Sequence, residues 1–261
     1  MAFIATLASG SSGNAAILSD GKTNILIDAG ISCRRIKTAL SEFDIPLCDI
    51  DAVLVTHEHT DHIKGLEVLC RGQHCPVFAT DGTAWAMERK LPGFDGDVRL
   101  IRAGGSFEVG DIGITPIATP HDAAESVCYL FSLGGHSVLY ATDIGHITPD
   151  IAAAAKSSEC VFLESNHDIY SLLRGSYPEM LKTRILSARG HLSNDDCADM
   201  VREAAESGTR RFTLCHLSRE NNTPKLAADA SMSALRTVGA EGVALEVAPA
   251  DRACAPYIFE C

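Results

Sequence analysis

The sequence predicts an α/β fold of two sheets covered by helices. Three observations lead there. Short apolar segments punctuated by glycine and aspartate crowd the start of the chain, and strands then alternate with helices. The length of 261 residues is ample for a sizeable core. No repeat, low-complexity tract or linker divides the sequence, so residues 1–261 read as a single domain.

Taken in order, Phe3–Ala8, Ala15–Leu18 and Asn24–Ile27 are three closely spaced strands. Ser32–Phe43 places Ile36, Leu40 and Phe43 near helical spacing. Val53–Val55 and Val77–Ala79 are short apolar runs that fit buried strands, and Thr83–Lys90 is helical. Ile112–Ile117, Val127–Leu133, Ser137–Ala141 and Val161–Leu163 continue the strands. Thr148-Pro149-Asp150 offers an N-cap, a proline at the first helical position and an acid in the first turn, so a helix starts there. Pro178–Leu186 is a further helix, and Ser193-Asn194-Asp195-Asp196 resembles a capping box opening Asp195–Ser207. Phe212–Cys215, a helix from Thr223-Pro224 through Val238, and Val243–Val247 complete the pattern.

Composition excludes several classes. The chain is 46% hydrophobic and 21% charged, which rules out a disordered chain. The net charge of −12 argues against general polyanion binding, because nucleic-acid affinity rests on Lys and Arg, but it permits a local basic patch or a metal-rich cleft. Lys182, Arg184 and Arg189 form a modest basic cluster. The ten cysteines are scattered, without a CxxC pair, and read as reduced thiols of a cytoplasmic protein. The N-terminus lacks a basic start, and no stretch approaches the ~18 apolar residues of a membrane span.

Five short motifs carry chemistry: Leu26-Ile27-Asp28-Ala29-Gly30, His57-Glu58-His59-Thr60-Asp61-His62, Pro120-His121-Asp122, Ala141-Thr142-Asp143-Ile144-Gly145 and Cys215-His216-Leu217-Ser218. Most follow an apolar run closely, where a strand gives way to a turn and a scaffold presents functional side chains. The second motif is the strongest. Neutral imidazole and carboxylate are ligands that Zn²⁺, Mn²⁺ and Fe²⁺ accept. His57 and His59 face one way in an extended segment, while Asp61 and His62 fall in the following turn. Four such side chains exceed the need of one open catalytic ion, so two divalent ions are expected. His74, His136 and His146 read as ordinary surface or turn histidines.

The ordered set resembles the metallo-β-lactamase superfamily along the whole chain. That resemblance implies a four-layer αββα sandwich with metals at the sheet edges. It implies that His57, His59 and His121 hold one ion, that Asp61, His62 and His216 hold the other, and that Asp143 bridges them. Asp28 would orient a ligand histidine from behind. A narrower resemblance is to the YycJ/WalJ-type branch. It rests on Ala8-Ser9-Gly10-Ser11-Ser12-Gly13-Asn14, Glu164-Ser165-Asn166-His167-Asp168, Gly190-His191-Leu192-Ser193-Asn194 and His216-Leu217-Ser218-Arg219-Glu220-Asn221-Asn222. Serine at 165 stands where the branch commonly has alanine. The branch implies metal-dependent 5′→3′ exonuclease action on DNA, with a part in mismatch repair.

Two cations a few ångströms apart can bridge a hydroxide and neutralise phosphoryl charge, so phosphodiester hydrolysis is the expected reaction, on DNA or else RNA. Asp61 is central to that site. His191 is the candidate donor to the departing 3′-oxygen, with Glu164 to orient it or raise its pKa. Their position looks like the Glu/His pair of the superfamily's tRNA-processing nucleases. Ser11, Ser12 and Asn14, in a loop that is also a hairpin turn, are candidates to cradle a phosphate. His167 and Arg219 are further candidates for a phosphate contact, and His167-Asp168 equally fits a turn cap. The competing reading is hydrolysis of a cyclic phosphodiester, lactone or thioester by the same metals. A non-catalytic binding protein is disfavoured because no ligand of the set is missing.

Overall fold

The computed structural model describes residues 1–72 and 75–259; His74 and Cys261 lie outside the described residues. The first half runs β1 (Phe3–Ala8), β2 (Ala15–Ser19), β3 (Asn24–Ile27), α1 (Cys33–Leu40), β4 (Ala52–Leu54), α2 (Thr60–Ile63), α3 (Leu66–Gly72), β5 (Val77–Thr80), α4 (Asp81–Lys90) and β6 (Val98–Ile101). The second half runs β7 (Phe107–Val109), β8 (Ile112–Ala118), β9 (Val127–Leu133), β10 (His136–Ala141), α5 (Pro149–Ser157), β11 (Cys160–Glu164), α6 (Ile169–Arg174) and α7 (Glu179–Ile185). It continues with α8 (Asn194–Ser207), β12 (Arg211–Cys215), α9 (Pro224–Thr237), β13 (Ala244–Val247) and β14 (Tyr257–Ile258).

Two seven-stranded mixed sheets result, ordered β14-β1-β2-β3-β4-β5-β6 and β13-β12-β11-β10-β9-β8-β7. In each, an antiparallel part leads into parallel strands: β3 to β6 in the first and β10 to β13 in the second. Three hydrophobic cores make this a four-layer αββα sandwich. Ile36, Leu40, Leu69 and Met87 of the helices pack on Leu26, Val53 and Val77 of the first sheet. Ile25, Ile27 and Leu54 meet Tyr129, Phe131, Tyr140 and Phe162 between the sheets. Ile151, Val201 and Leu235 of α5, α8 and α9 cover Leu139, Val161 and Phe212. Alternate residues of β3 and β11 thus face different cores, as the period-two pattern of a strand buried on both faces requires.

Several elements depart from the sequence expectations. β6, β7 and β14 are additional strands, all at or beside sheet edges, where burial is partial and the apolar signal weak. Asp61 and His62 lie not in a turn but in α2, with His59 at its N-cap position. Asp168 caps α6, its carboxylate accepting the Ser171 N–H at 2.7 Å. No disulfide joins the nine cysteines among the described residues. Nor is any described helix long and apolar enough to cross a membrane.

Candidate metal centre

The C-terminal ends of the parallel strands converge on one edge of the sandwich. β3 pairs Ile27 with Leu54 of β4, so Asp28 and the His57 segment leave the first sheet side by side. β10, β11 and β12 align Ala141 with Leu163 and Glu164 with Cys215, which sets Asp143, Glu164 and His216 in a row on the second. Asp28 (φ 58°), Asp143 (φ 58°) and His216 (φ 55°) each take the left-handed conformation as the chain leaves its strand. That backbone is costly for a residue with a side chain and tends to persist where surrounding structure enforces a functional turn. Gly30 serves a related need, since a Cβ there would lie 1.6 Å from the Asp61 carbonyl oxygen.

The turns bring two histidine-rich triads together. His57, His59 and His121 form one, and Asp61, His62 and His216 the other, each with ligand atoms within 4.8 Å of one another. Asp143 lies between them, with Oδ2 3.0 Å from His62 Nε2 and Oδ1 3.6 Å from His121 Nε2. Asp61 Oδ2 is 3.4 Å from His216 Nε2, and His59 Nδ1 is 3.3 Å from His121 Nε2.

The outer nitrogen of four of these imidazoles is held from behind. His62 Nδ1 donates to Asp28 at 2.7 Å, His121 Nδ1 to the Gly190 carbonyl at 3.0 Å and His216 Nδ1 to Glu164 at 2.8 Å. His57 Nδ1 sits 3.0 Å from the Thr56 hydroxyl, which itself donates to Asp28. This pattern fixes the tautomer and leaves the inner nitrogen for a cation. His57 Nε2 is buried and without a hydrogen-bond partner among the described residues. A buried set of inward imidazoles and carboxylates with an orphaned nitrogen fits divalent ions, by the chemistry of its donors.

Electrostatics divides the set. Burial holds His57 well below the ordinary imidazole range and lowers His59, so both stay neutral, the form that binds metal. Burial also opposes charge on His216, but Asp143 and hydrogen bonds to Asp61 and Glu164 override it and raise it to about 10. His62 is likewise raised, with Asp143 and Asp28 outweighing burial. Asp143 stays ionised despite burial because His216 and His62 flank it.

Glu164 is fully buried and has a partner for each oxygen. Oε1 accepts from both His191 Nδ1 and His216 Nδ1 at 2.8 Å, and Oε2 accepts the N–H groups of Ile144 (2.7 Å) and Leu192 (3.2 Å). Burial pushes its carboxyl up, but the neighbouring His191 charge and the two imidazole hydrogen bonds bring it down to about 2. His191, lowered by burial, is raised above its ordinary value by Glu164.

The remaining sequence candidates fall in different places. Ser11 and Ser12 are exposed at the tip of the β1–β2 turn. Asn14 is buried instead; its Oδ1 accepts the Gly10 N–H, and its amide nitrogen lies 3.0 Å from His62 Nε2 and 3.4 Å from Asp61 Oδ2. Asn14 therefore braces the second triad. His167 is 1% exposed, and neither ring nitrogen has a hydrogen-bond partner among the described residues. Arg219 is exposed, beside Ser9 and Asn222.

Two of the three residues of the basic cluster are engaged beside the site. Arg184 pairs with Asp122 (Nη2 to Oδ1, 3.0 Å), Arg189 donates to the His121 carbonyl at 2.7 Å, and Lys182 is buried against the Leu173 carbonyl. His136 contacts Glu159, and His146 donates to the Ala188 carbonyl. Thr56 and Ser9, whose hydroxyl accepts the His216 N–H at 2.8 Å, were not singled out from the sequence as positioning residues. Thr56 directly precedes His57, which is the only local signal for it.

The segments 164–168, 190–194 and 216–222 interlock through one buried amide network. Asn222 donates to the carbonyls of Ser165 and Asn166 and to Asn194 Oδ1, and Asn166 donates to the His216 carbonyl.

A model described as the β-lactamase superfamily domain matches residues 23–217. The exodeoxyribonuclease YycJ of Bacillus anthracis is 36% identical over 222 residues, covering 85% of this chain and 84% of its own. The exodeoxyribonuclease WalJ of Streptococcus pneumoniae serotype 2 is 38% identical over 224 residues, covering 85% and 83%. Among solved structures, the metallo-β-lactamase fold protein YhfI of Bacillus subtilis superposes with a TM-score of 0.74 at 16% identity, covering 97% of this chain and 99% of its own. Zinc-bound PqqB of Methylobacterium extorquens does so with a TM-score of 0.70 at 18% identity, over 97% and 99%. The αββα sandwich, its converging His/Asp set and this coverage together identify the chain as a metal-dependent hydrolase of the β-lactamase superfamily, in the branch of the YycJ and WalJ exodeoxyribonucleases.

Proposed function

We propose that residues 1–261 form one catalytic domain that degrades DNA from 5′ ends, as a 5′→3′ exonuclease. The observation that carries this reading is the Glu164–His191 pair beside the two triads, in a chain similar to exodeoxyribonucleases along most of its length. His57, His59 and His121 would hold one divalent ion, Asp61, His62 and His216 the other, and Asp143 would reach both. Zn²⁺, Mn²⁺ and Fe²⁺ all suit these donors. Such ions supply activated water at neutral pH and charge neutralisation at a phosphoryl group.

The chain's own residues do the rest. His191 donates its Nδ1 proton to Glu164, so its other nitrogen is free to face the scissile bond. Glu164 raises its pKa above the ordinary imidazole value, which favours the protonated form that can give a proton to the departing 3′-oxygen. Glu164 keeps its charge because four donors satisfy it, so the pair holds one orientation throughout.

The test is degradation of end-labelled double-stranded DNA carrying 5′-phosphate or 5′-hydroxyl, in Mn²⁺ and in Zn²⁺, beside Asp61→Ala. Stepwise release from 5′ ends, abolished in the variant, is expected. No release with either ion, with metal content verified, would move the assignment to a small phosphodiester or ester. Release from 3′ ends would overturn the polarity.

A further inference from the structure

Arg184 and Arg189 of the basic cluster are engaged with Asp122 and the His121 carbonyl, and Lys182 with the Leu173 carbonyl, which leaves other surface groups as candidates for contacts with a polynucleotide. Two surface pairs have the required chemistry. On α4, Trp85 is 59% exposed and the Arg89 guanidinium lies 4.7 Å from its ring centroid. On α6, Tyr170 is 66% exposed, with Arg174 5.1 Å from its ring and donating to its hydroxyl at 2.7 Å. Each pair is an aromatic residue followed four positions later by arginine, so ring and cation share one helix face.

Both helices are anchored to the metal centre. Lys90 at the end of α4 donates to the carbonyl of Glu58, between the ligand candidates His57 and His59. At its start, the Gly82 N–H donates to Glu125 at 2.8 Å. Glu125 lies in the loop between β8 and β9 that also carries His121. Asp168, which caps α6, lies four residues beyond Glu164, and Asn166 between them holds the His216 carbonyl.

We propose that Trp85–Arg89 and Tyr170–Arg174 are stacking platforms for a single strand of DNA leading to the metal centre, an inference that rests on the nuclease reading above. A single strand offers unpaired base faces and a phosphate chain. An exposed ring beside a guanidinium that has no carboxylate partner among the described residues answers both, and base–aromatic stacking is sequence-tolerant, as degradation from any end demands. The pairs also place positive charge on the surface of a chain whose net charge is −12. The occupant is therefore a separated strand rather than an intact duplex, whose bases present only their edges.

Trp85 is the only tryptophan in the sequence, so its emission reports contact directly. The metal-loaded protein would be titrated with a phosphorothioate oligothymidylate of about ten nucleotides, a length suited to one such surface. Saturable quenching is expected. Tyr170→Ala should weaken binding by about fivefold or more while Tyr170→Phe, which keeps the ring, should not. Arg89→Ala and Arg174→Ala should each flatten the dependence of log affinity on log salt by about 0.7. Metal content of every variant, by elemental analysis, verifies an intact centre.

Binding seen by anisotropy of a labelled oligonucleotide, but with Trp85 emission unchanged or Tyr170→Ala without effect, would overturn the platforms and leave the nuclease reading standing. No binding of the oligonucleotide would overturn the platforms, while the nuclease reading stands or falls separately with cleavage of the end-labelled duplex. A dimer in sedimentation velocity that Tyr170→Ala disperses would overturn the inference by making α6 a contact between copies.

Discussion

At the scale of single residues, the site depends on atoms that do not point at the ions. Asp28 is fully buried, accepts the Thr56 N–H and hydroxyl, and accepts from His62 Nδ1. Asp28→Asn keeps the shape and tolerates the left-handed backbone, but it replaces the acceptor that sets the His62 tautomer. Metal affinity, measured by calorimetric titration, should fall about 10- to 100-fold; unchanged affinity would show that Asp28 only shapes the turn. The inward side chains themselves were legible because histidine and aspartate at close spacing have few other uses. Thr56, Ser9 and the Gly190 carbonyl were not, because a hydroxyl or backbone oxygen carries no sequence mark of what it holds. Asn14 was legible as a candidate, but its contacts with Gly10 and His62 were not, since loop composition does not tell which way an amide points.

At the scale of elements, the caps written in the sequence are formed. Ser193 accepts the Asp196 N–H at 3.1 Å and opens α8, and Thr148 opens α5. Ser193 also sits one residue past Leu192, whose N–H reaches Glu164, so the cap anchors the segment bearing His191. Ser193→Ala should cost about 1 kcal/mol in urea unfolding; a cost near zero would mean that packing alone holds the helix start. Long buried strands such as β9 and β11 were readable from their apolar runs. The strands β6, β7 and β14 and the short helices α2, α3 and α6 were not, because few of their residues are buried or the element is too short to show a period.

At the scale of the whole molecule, the two halves meet only partly through apolar packing. His57, His59, Asp61 and His62 come from the first sheet, and His121, Asp143 and His216 from the second, so ions bound between them would clamp the halves together. The pH dependence follows from the directions of the shifts. His62 and His216 are raised above 6.5 in the metal-free protein, His216 to about 10. Their protonated pairing therefore stabilises the metal-free fold fully below about pH 6.5 and is lost as pH climbs toward about 10. Metal binding needs those protons gone and strengthens over the same interval. The rise in Tm on adding Mn²⁺ or Zn²⁺ should thus grow between about pH 6 and about pH 8. A metal-induced shift that shrinks over that range would contradict the clamp.

The pairing of β14 with β1 has a consequence for how the molecule comes into being. A chain leaving the ribosome presents β1 to β6 early, yet the first sheet has an open edge until residues 257–258 arrive. The histidine-rich segment at 57–62 is likewise synthesised long before His216. The newborn N-terminal half would carry part of a binding site and one bare strand edge. The second triad waits for His216 and the first sheet's edge for β14, so metal loading and closure of that sheet both follow synthesis of the second half.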